Sequence, residues 1–148
     1  MGRKLTEADA IAYLDSIQKF SKKNHEVLLQ IMELRTVVEN CTAKTDKEPI
    51  QSSGDGDKMA SLVGRIVDLE REICQRQKII EHRRAEVEEI AKSMDNERHR
   101  EYLTIRYVEG NGFYDTVMLM DLSDSTAKRV SKKSVAEFTK RYNAKHNI

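Results

Sequence analysis

The sequence predicts an all-α protein in which a long antiparallel coiled-coil helical hairpin is followed by a small helical domain. Its 148 residues are 34% charged and only 5% aromatic, with one proline and no tryptophan. This composition is typical of long solvated helices rather than of a sandwich or a barrel. Apolar residues also recur at helical spacing on both sides of a polar segment at 41–57. We therefore place the hairpin at residues 1–94 and the small domain at residues 95–148.

The first helix is predicted to run from Thr6, which can cap it, to Asn40. Ser21 and Asn24 interrupt its apolar stripe. The stripe consists of Ala10, Leu14, Ile17, Leu28, Ile31, Leu34 and Val38. The segment 41–57 that follows is polar and longer than the roughly two to eight residues that usually join helices. We predict a flexible linker there.

The second helix, from Lys58 to Met94, has the clearest pattern in the chain, because apolar residues repeat every seven positions with companions at heptad spacing. The seam consists of Met59, Leu62, Ile66, Leu69, Ile73, Arg76, Ile80, Arg83, Val87, Ile90 and Met94. Pairing Val38 with Met59 in an antiparallel hairpin places Asn24 near Ile73 and towards Arg76. Asn24 then either sets the register of the seam or lies at a solvated exit from it.

Apolar side chains beside the main stripe of the second helix predict a further contact surface. They are Val63, Val67, Ile79 and Ile90. Because large exposed apolar patches usually mark interfaces, we expect a homodimer that forms through the hairpins.

The segment from Asp95 onwards changes to short helices. Asp95 or Asn96 can cap a helix that continues through Tyr107, and Gly110 suits its end. A second helix is predicted at about 113–120 and a last one at about 124–143, capped by Ser123. The predicted buried stripe of the last helix is Ala127, Val130, Ser134, Val135 and Phe138.

Three short helices, a tight turn and a basic face on the last helix form the pattern of a helix-turn-helix that binds double-stranded DNA. Residues 122–148 carry seven Lys and Arg against two Asp and Glu, whereas residues 1–121 carry 19 against 23. Short hydroxyl side chains can reach base edges, and Lys and Arg can meet phosphates. The predicted DNA-contact residues are Ser123, Ser125, Thr126, Lys128, Arg129, Lys132 and Lys133. An ordinary solvated amphipathic helix has the same pattern.

The C-terminal segment resembles region 4 of the sigma-70 family, which binds promoter DNA through a helix-turn-helix. The resemblance rests on residues 102–110, 122–123, 130–135 and Phe138. Small phage and prophage proteins of Gram-positive bacteria, some of them late-gene transcriptional activators, carry such an end behind a long helical hairpin. Residues 13–17, 49–52 and 68–70 also resemble that family. The resemblance implies transcription regulation, with the hairpin supplying self-association or a contact with RNA polymerase.

The chain departs from that family in the helix before the turn. Phe113 stands where the family has tryptophan, and Asp121 stands where it has glycine. Thr116 replaces an aliphatic core residue, and burying its hydroxyl without a partner would cost about 1–3 kcal/mol. The helix-turn-helix is therefore either altered in its DNA site or used for protein contacts.

Enzymatic activity is not expected, because the sequence has no nucleotide-binding loop, nucleophile elbow or catalytic Cys–His arrangement. The four histidines lack metal-ligand spacing, so neither metal nor other cofactor is predicted. Cys41 and Cys74 are expected to be free thiols in a cytoplasmic protein, and no apolar run is long enough to cross a membrane.

The sequence thus predicts a DNA-binding transcription regulator of phage or prophage type. Two rival hypotheses stay open. One is a packaging or structural oligomer, similar to a small terminase subunit, in which the hairpin builds a ring. The other is a protein–protein adaptor with a degenerate helix-turn-helix.

Overall fold

The computed structural model describes residues 2–47 and 53–148, and every regular element in these two ranges is helical. The all-α prediction is confirmed, with a long helical hairpin followed by a small helical domain. The elements are α1 (Glu7–Lys47), α2 (Ser53–Lys92), α3 (Glu97–Leu103), which continues as a π-helical turn (Thr104–Val108), α4 (Phe113–Leu119) and α5 (Asp124–Lys145).

The bounds predicted for the linker, 41–57, are wrong at both ends. Helix α1 continues to Lys47 and α2 already begins at Ser53, so that only 48–52 lie outside the described residues. Residues 41–47 include neither glycine nor proline, and backbone hydrogen bonds can continue a helix without a buried face. Gly54 and Gly56 lower helix propensity by about 1 kcal/mol each without forbidding the helix.

Thr6 caps α1 as predicted. The Thr6 hydroxyl oxygen accepts a hydrogen bond from the amide of Asp9 at 3.1 Å, and a carboxylate oxygen of Asp9 accepts one from the amide of Thr6 at 3.1 Å. This reciprocal pair is a capping box, which satisfies two amides that the helix itself leaves unpaired.

The chain divides into two compact units, and the division differs from the predicted boundary at 94/95. The hairpin unit comprises Phe20–Ile79, and the C-terminal unit comprises Met1–Lys19 with Ile80–Ile148. The reason lies in the core of the C-terminal unit, where the start of α1 packs against the last helix. The Tyr13 ring stacks on Phe138 at 6.2 Å, and the Asn143 side chain exchanges two 2.9 Å hydrogen bonds with the backbone of Leu5.

The hairpin unit has a small apolar core. Its buried residues are Val27, Ile31, Ile66 and Leu69, and the partly buried Leu34, Val38 and Ile73 pack against them. Leu28 was predicted in the stripe, but it is 48% exposed and Val27 takes the buried position. Both residues are apolar neighbours in the sequence, so periodicity did not distinguish them.

Asn24 lies in the seam of the hairpin unit. Its side-chain amide donates a 3.2 Å hydrogen bond to the carbonyl of Ile73, and Arg76 Nη1 donates to Asn24 Oδ1 at 3.5 Å. Asn24 is 9% exposed, which agrees with a polar group that sets register rather than with a solvated exit. The predicted pairing of Asn24 with Ile73 is confirmed.

The C-terminal unit is held by apolar burial and by a polar network. The largest buried side chains are Leu14, Ile17, Ile80, Val87, Met94, Tyr102, Leu103 and Phe138. Ile90 was predicted both in the seam and among the spare apolar side chains; it is 2% exposed and belongs to this core, so only the seam prediction is confirmed. Arg106 Nη1 donates to Gln18 Oε1 at 2.6 Å and to the Asn111 carbonyl at 2.9 Å, which anchors the segment between the π-helical turn and α4.

Candidate nucleic-acid interface

The turn between α4 and α5 determines where α5 begins. The amide of Asp121 donates to the Met118 carbonyl at 3.2 Å, and the amide of Leu122 donates to the Val117 carbonyl at 3.1 Å. With Asp121 in the left-handed region at φ 53°, these bonds form a Schellman-type helix end. Asp121 therefore adopts the conformation that glycine would adopt most easily.

Thr116, the departure inside α4, is fully buried and its hydroxyl is paired. The hydroxyl donates a 2.8 Å hydrogen bond to the carbonyl of Gly112, four residues earlier. The penalty expected for an unpaired buried hydroxyl is therefore avoided, and the helix before the turn keeps a packed core.

Ser123 caps α5 as predicted. Its hydroxyl oxygen accepts from the amide of Thr126 at 3.4 Å, and the same hydroxyl donates to the Thr126 hydroxyl at 2.8 Å. These two hydroxyls are thus engaged with each other, while Ser125 is exposed and its hydroxyl makes no hydrogen bond to any described residue. Ser125 is therefore the hydroxyl of the three that is most available to an external partner.

One side of α5 is buried and the other is basic. The predicted buried stripe is confirmed, since Ala127, Val130, Ser134, Val135 and Phe138 are all less than 9% exposed. The predicted cations are all exposed: Lys128, Arg129, Lys132 and Lys133. None of the four has an ion-pair partner among residues 2–47 and 53–148. Four positive charges without ion pairs on one helix favour a positive potential on this side.

The four cations fall on two flanks of α5. Lys128 and Lys132 line a cavity of about 400 Å³ together with Arg106. Glu7 and Asp15 from the start of α1 line the same cavity, so carboxylates face this flank of the helix. The Tyr107 hydroxyl also belongs to this region, and burial raises its pKa, so that it stays neutral at physiological pH.

The other flank faces α3. Arg129 and Lys133 line a depression of about 350 Å³ with Arg98 and His99, and the buried Val130 also lines it. Burial lowers the pKa of His99, and the nearby Lys133 lowers it further. The sequence analysis missed both α3 residues, although the basic run 98–100 was a visible signal. Arg98 and His99 lie more than thirty residues before Lys133 in the chain, so the sequence did not show that these residues group together.

A second candidate surface lies in the hairpin unit, where apolar side chains are exposed on both helices. Leu28 and Met32 precede Arg35 at helical spacing on α1, and Val63 and Val67 precede Glu70 in the same way on α2. The ion pair between Arg35 and Glu70 shows that both rows face the same side of the hairpin. The exposed fractions of the four apolar side chains lie between 41% and 56%.

The predicted dimer residues Val63 and Val67 belong to this surface, and Ile79 is also exposed, at 40%. Leu29, which sequence reasoning passed over, is 47% exposed beside Leu28. Three adjacent apolar residues at 27–29 were the signal that could have revealed the exposed Leu28 and Leu29. A single seam can bury only part of such a run.

No family model, curated protein or solved structure matches the chain.

The described residues hold no group of three His, Cys, Asp or Glu that could bind a metal ion. Cys74 is an exposed free thiol, and Cys41 is partly buried. Within the described ranges, no helix combines the length and the apolar character that a membrane crossing requires.

Proposed function

We propose that this protein is a DNA-binding transcription regulator that reads double-stranded DNA with α5. The observation that carries the proposal is the set of four exposed cations on α5 without ion-pair partners in the described residues. They lie opposite a buried stripe, on a helix that begins directly after a tight turn from α4. A helix held in this way can enter the major groove while Lys and Arg meet phosphates.

Duplex titrations at several salt concentrations test this proposal. Lys132→Ala and Lys133→Ala should weaken binding to all sequences and flatten the salt dependence by roughly one unit, because each removes about one phosphate contact. Ser125→Ala should instead alter the preference among sequences and leave the salt slope nearly unchanged. Lys58→Ala, at an exposed position of α2, is the matched control. Wild-type affinity in both lysine variants at every salt concentration would show that α5 is not the DNA surface.

We also propose that two copies associate through the apolar surface of the hairpin unit. A two-fold dimer would match two DNA half-sites with two recognition helices. Met32→Glu should convert the dimer to a monomer in light scattering, because it places a charge in the apolar patch. Val37→Glu is the control, since Val37 is 41% exposed on another side of α1. A wild-type monomer at micromolar concentration contradicts the dimer, and a ring of many subunits favours the packaging hypothesis.

A protein–protein adaptor is the second candidate function, and a feature of α4 favours it. Tyr114, Met118 and Leu119 are 63–80% exposed on this short helix. Apolar exposure of that extent suits a protein partner, which the resemblance would identify as RNA polymerase. An adaptor would be a monomer without duplex affinity, and substitution of Met118 by lysine would abolish partner capture without changing the fold.

A further inference from the structure

The depression beside His99 contains positive groups from two helices. Arg98 and His99 come from the first turn of α3, and Arg129 and Lys133 come from α5. The amide of His99 donates to the Asn96 side chain at 3.2 Å, which holds this turn in place. No carboxylate lines the depression among the described residues.

Glu137 on α5 is the acidic residue whose charge affects His99, and it raises the pKa of the imidazole. Its carboxylate is already engaged, because Arg141 Nε donates to it at 2.6 Å. Three permanent cations, Arg98, Arg129 and Lys133, therefore remain uncompensated around one concave surface of about 350 Å³. Guanidinium and ammonium groups in such a concave arrangement are suited to a tetrahedral oxyanion.

We propose that this depression binds one backbone phosphate of duplex DNA, and that His99 takes up a proton when the phosphate binds. The inference rests on the proposed function and extends it. Arg129 and Lys133 belong to the helix proposed to enter the groove, so the strand that borders the groove passes over this flank. The phosphate would then be held from α5 on one side and from α3 on the other.

The proton uptake follows from the surroundings of His99. In the free protein, burial and the neighbouring Lys133 and Arg98 keep its pKa below the usual 6.5, which outweighs the opposing effect of Glu137. A bound phosphate adds a negative charge that favours the imidazolium and raises this pKa. Between the two pKa values binding takes up one proton, so affinity should rise as the pH falls, by at most about tenfold per pH unit.

Two variants of α3 test the subsite. Arg98→Ala should reduce duplex affinity for all sequences and flatten the salt slope by roughly one unit. Arg65→Ala, an exposed arginine of α2 without an ion pair in the described chain, should leave both unchanged. His99→Gln should bind as wild type at pH 8 and lose the extra affinity that wild type gains as the pH falls through the His99 titration. His82→Gln, an exposed histidine of α2, is the control for that gain.

NMR of the His99 ring supplies a readout that a purely structural role would not change. Addition of a duplex should raise the pKa of His99 in the wild type and not in Arg98→Ala. If inorganic phosphate raises it as strongly as the duplex at equal concentration, the site binds free anions and the proposal is wrong. If Lys132→Ala weakens DNA binding while Arg98→Ala and His99→Gln match wild type at every pH, the subsite alone is refuted. If the wild type binds no duplex, the proposed function fails first and the subsite fails with it.

Discussion

Replacing Glu86 by glutamine should destabilise the C-terminal unit by about 1.5–3 kcal/mol, the range for hydrogen bonds to charged groups. Glu86 is 8% exposed and accepts from Lys145 Nζ at 2.8 Å and from His146 Nε2 at 2.6 Å. Glutamine keeps the shape of the side chain, but it has only one acceptor oxygen. Its NH2 group, a donor, would therefore face the donor nitrogen of either Lys145 or His146. One of these contacts is therefore lost, together with the charge that both donors meet.

Glu89 provides a matched control on the same lysine. Its carboxylate accepts from Lys145 Nζ at 2.7 Å, yet its side chain is 68% exposed, whereas that of Glu86 is 9% exposed. Water can replace the partner of an exposed carboxylate, so Glu89→Gln should cost no more than about 0.5 kcal/mol. The two substitutions remove ion pairs of nearly equal length, and the two carboxylates differ mainly in how deeply they are buried.

The effect of Glu86 should also depend on pH. Burial raises the pKa of this carboxyl, but the hydrogen bonds and charges of Lys145 and His146 outweigh burial, and the net pKa lies below the usual 4.5. A carboxyl whose folded pKa is lowered contributes fully above the unfolded pKa, and the contribution is lost as the pH falls through the folded value. The difference between wild type and Glu86→Gln should therefore be full at pH 7 and shrink below about pH 4.5.

Urea unfolding followed by tyrosine circular dichroism is the appropriate assay. The rings of Tyr142 and His146 lie 4.3 Å apart, so the near-ultraviolet signal reports this corner of the unit. Urea is preferred to guanidinium chloride, because the salt would screen the charges under test. Equal unfolding free energies for Glu86→Gln and Glu89→Gln at pH 7, or a difference that does not shrink below about pH 4.5, would refute the reasoning.

Four further predictions concern stability, each measured by urea or thermal unfolding. Gly110→Ala should cost about 1–2 kcal/mol, because Gly110 has φ +83° although the new Cβ would lie an ordinary 3.7 Å from Arg84. Gly64→Ala should instead stabilise α2 by about 0.5–1 kcal/mol, since nothing lies within 4 Å of its Cβ position, and a loss of stability there would contradict this. Ile80→Ala should cost about 2–5 kcal/mol and Ile79→Ala much less, because Ile80 is 1% and Ile79 is 40% exposed; equal costs would disprove the seam. Ser134→Ala should stabilise the protein by about 1 kcal/mol or more, because the buried Ser134 hydroxyl has no hydrogen-bond partner in the described structure, and a destabilised variant would reveal one.

Local signals in the sequence were sufficient for the ends of the short helices and for the register of the hairpin. Ser123 caps α5 as predicted, and Asn96, one of the two predicted candidates, caps α3, because a capping side chain bonds to an amide three residues away. Gly110 ends its helix in a left-handed conformation that glycine adopts without strain. The heptad pattern placed Asn24 opposite Ile73, because a continuous apolar seam permits few alternative pairings.

Burial and the grouping of distant residues were decided by the tertiary structure. Periodicity placed Leu28 in the seam, and packing left it 48% exposed, since burial depends on neighbours that other segments supply. The basic residues of α5 were visible in the sequence as one set, but α3 on one flank and the start of α1 on the other divide them. His99 meets Lys133 only because α3 packs beside α5, and no local pattern encodes a contact between residues so far apart in the chain.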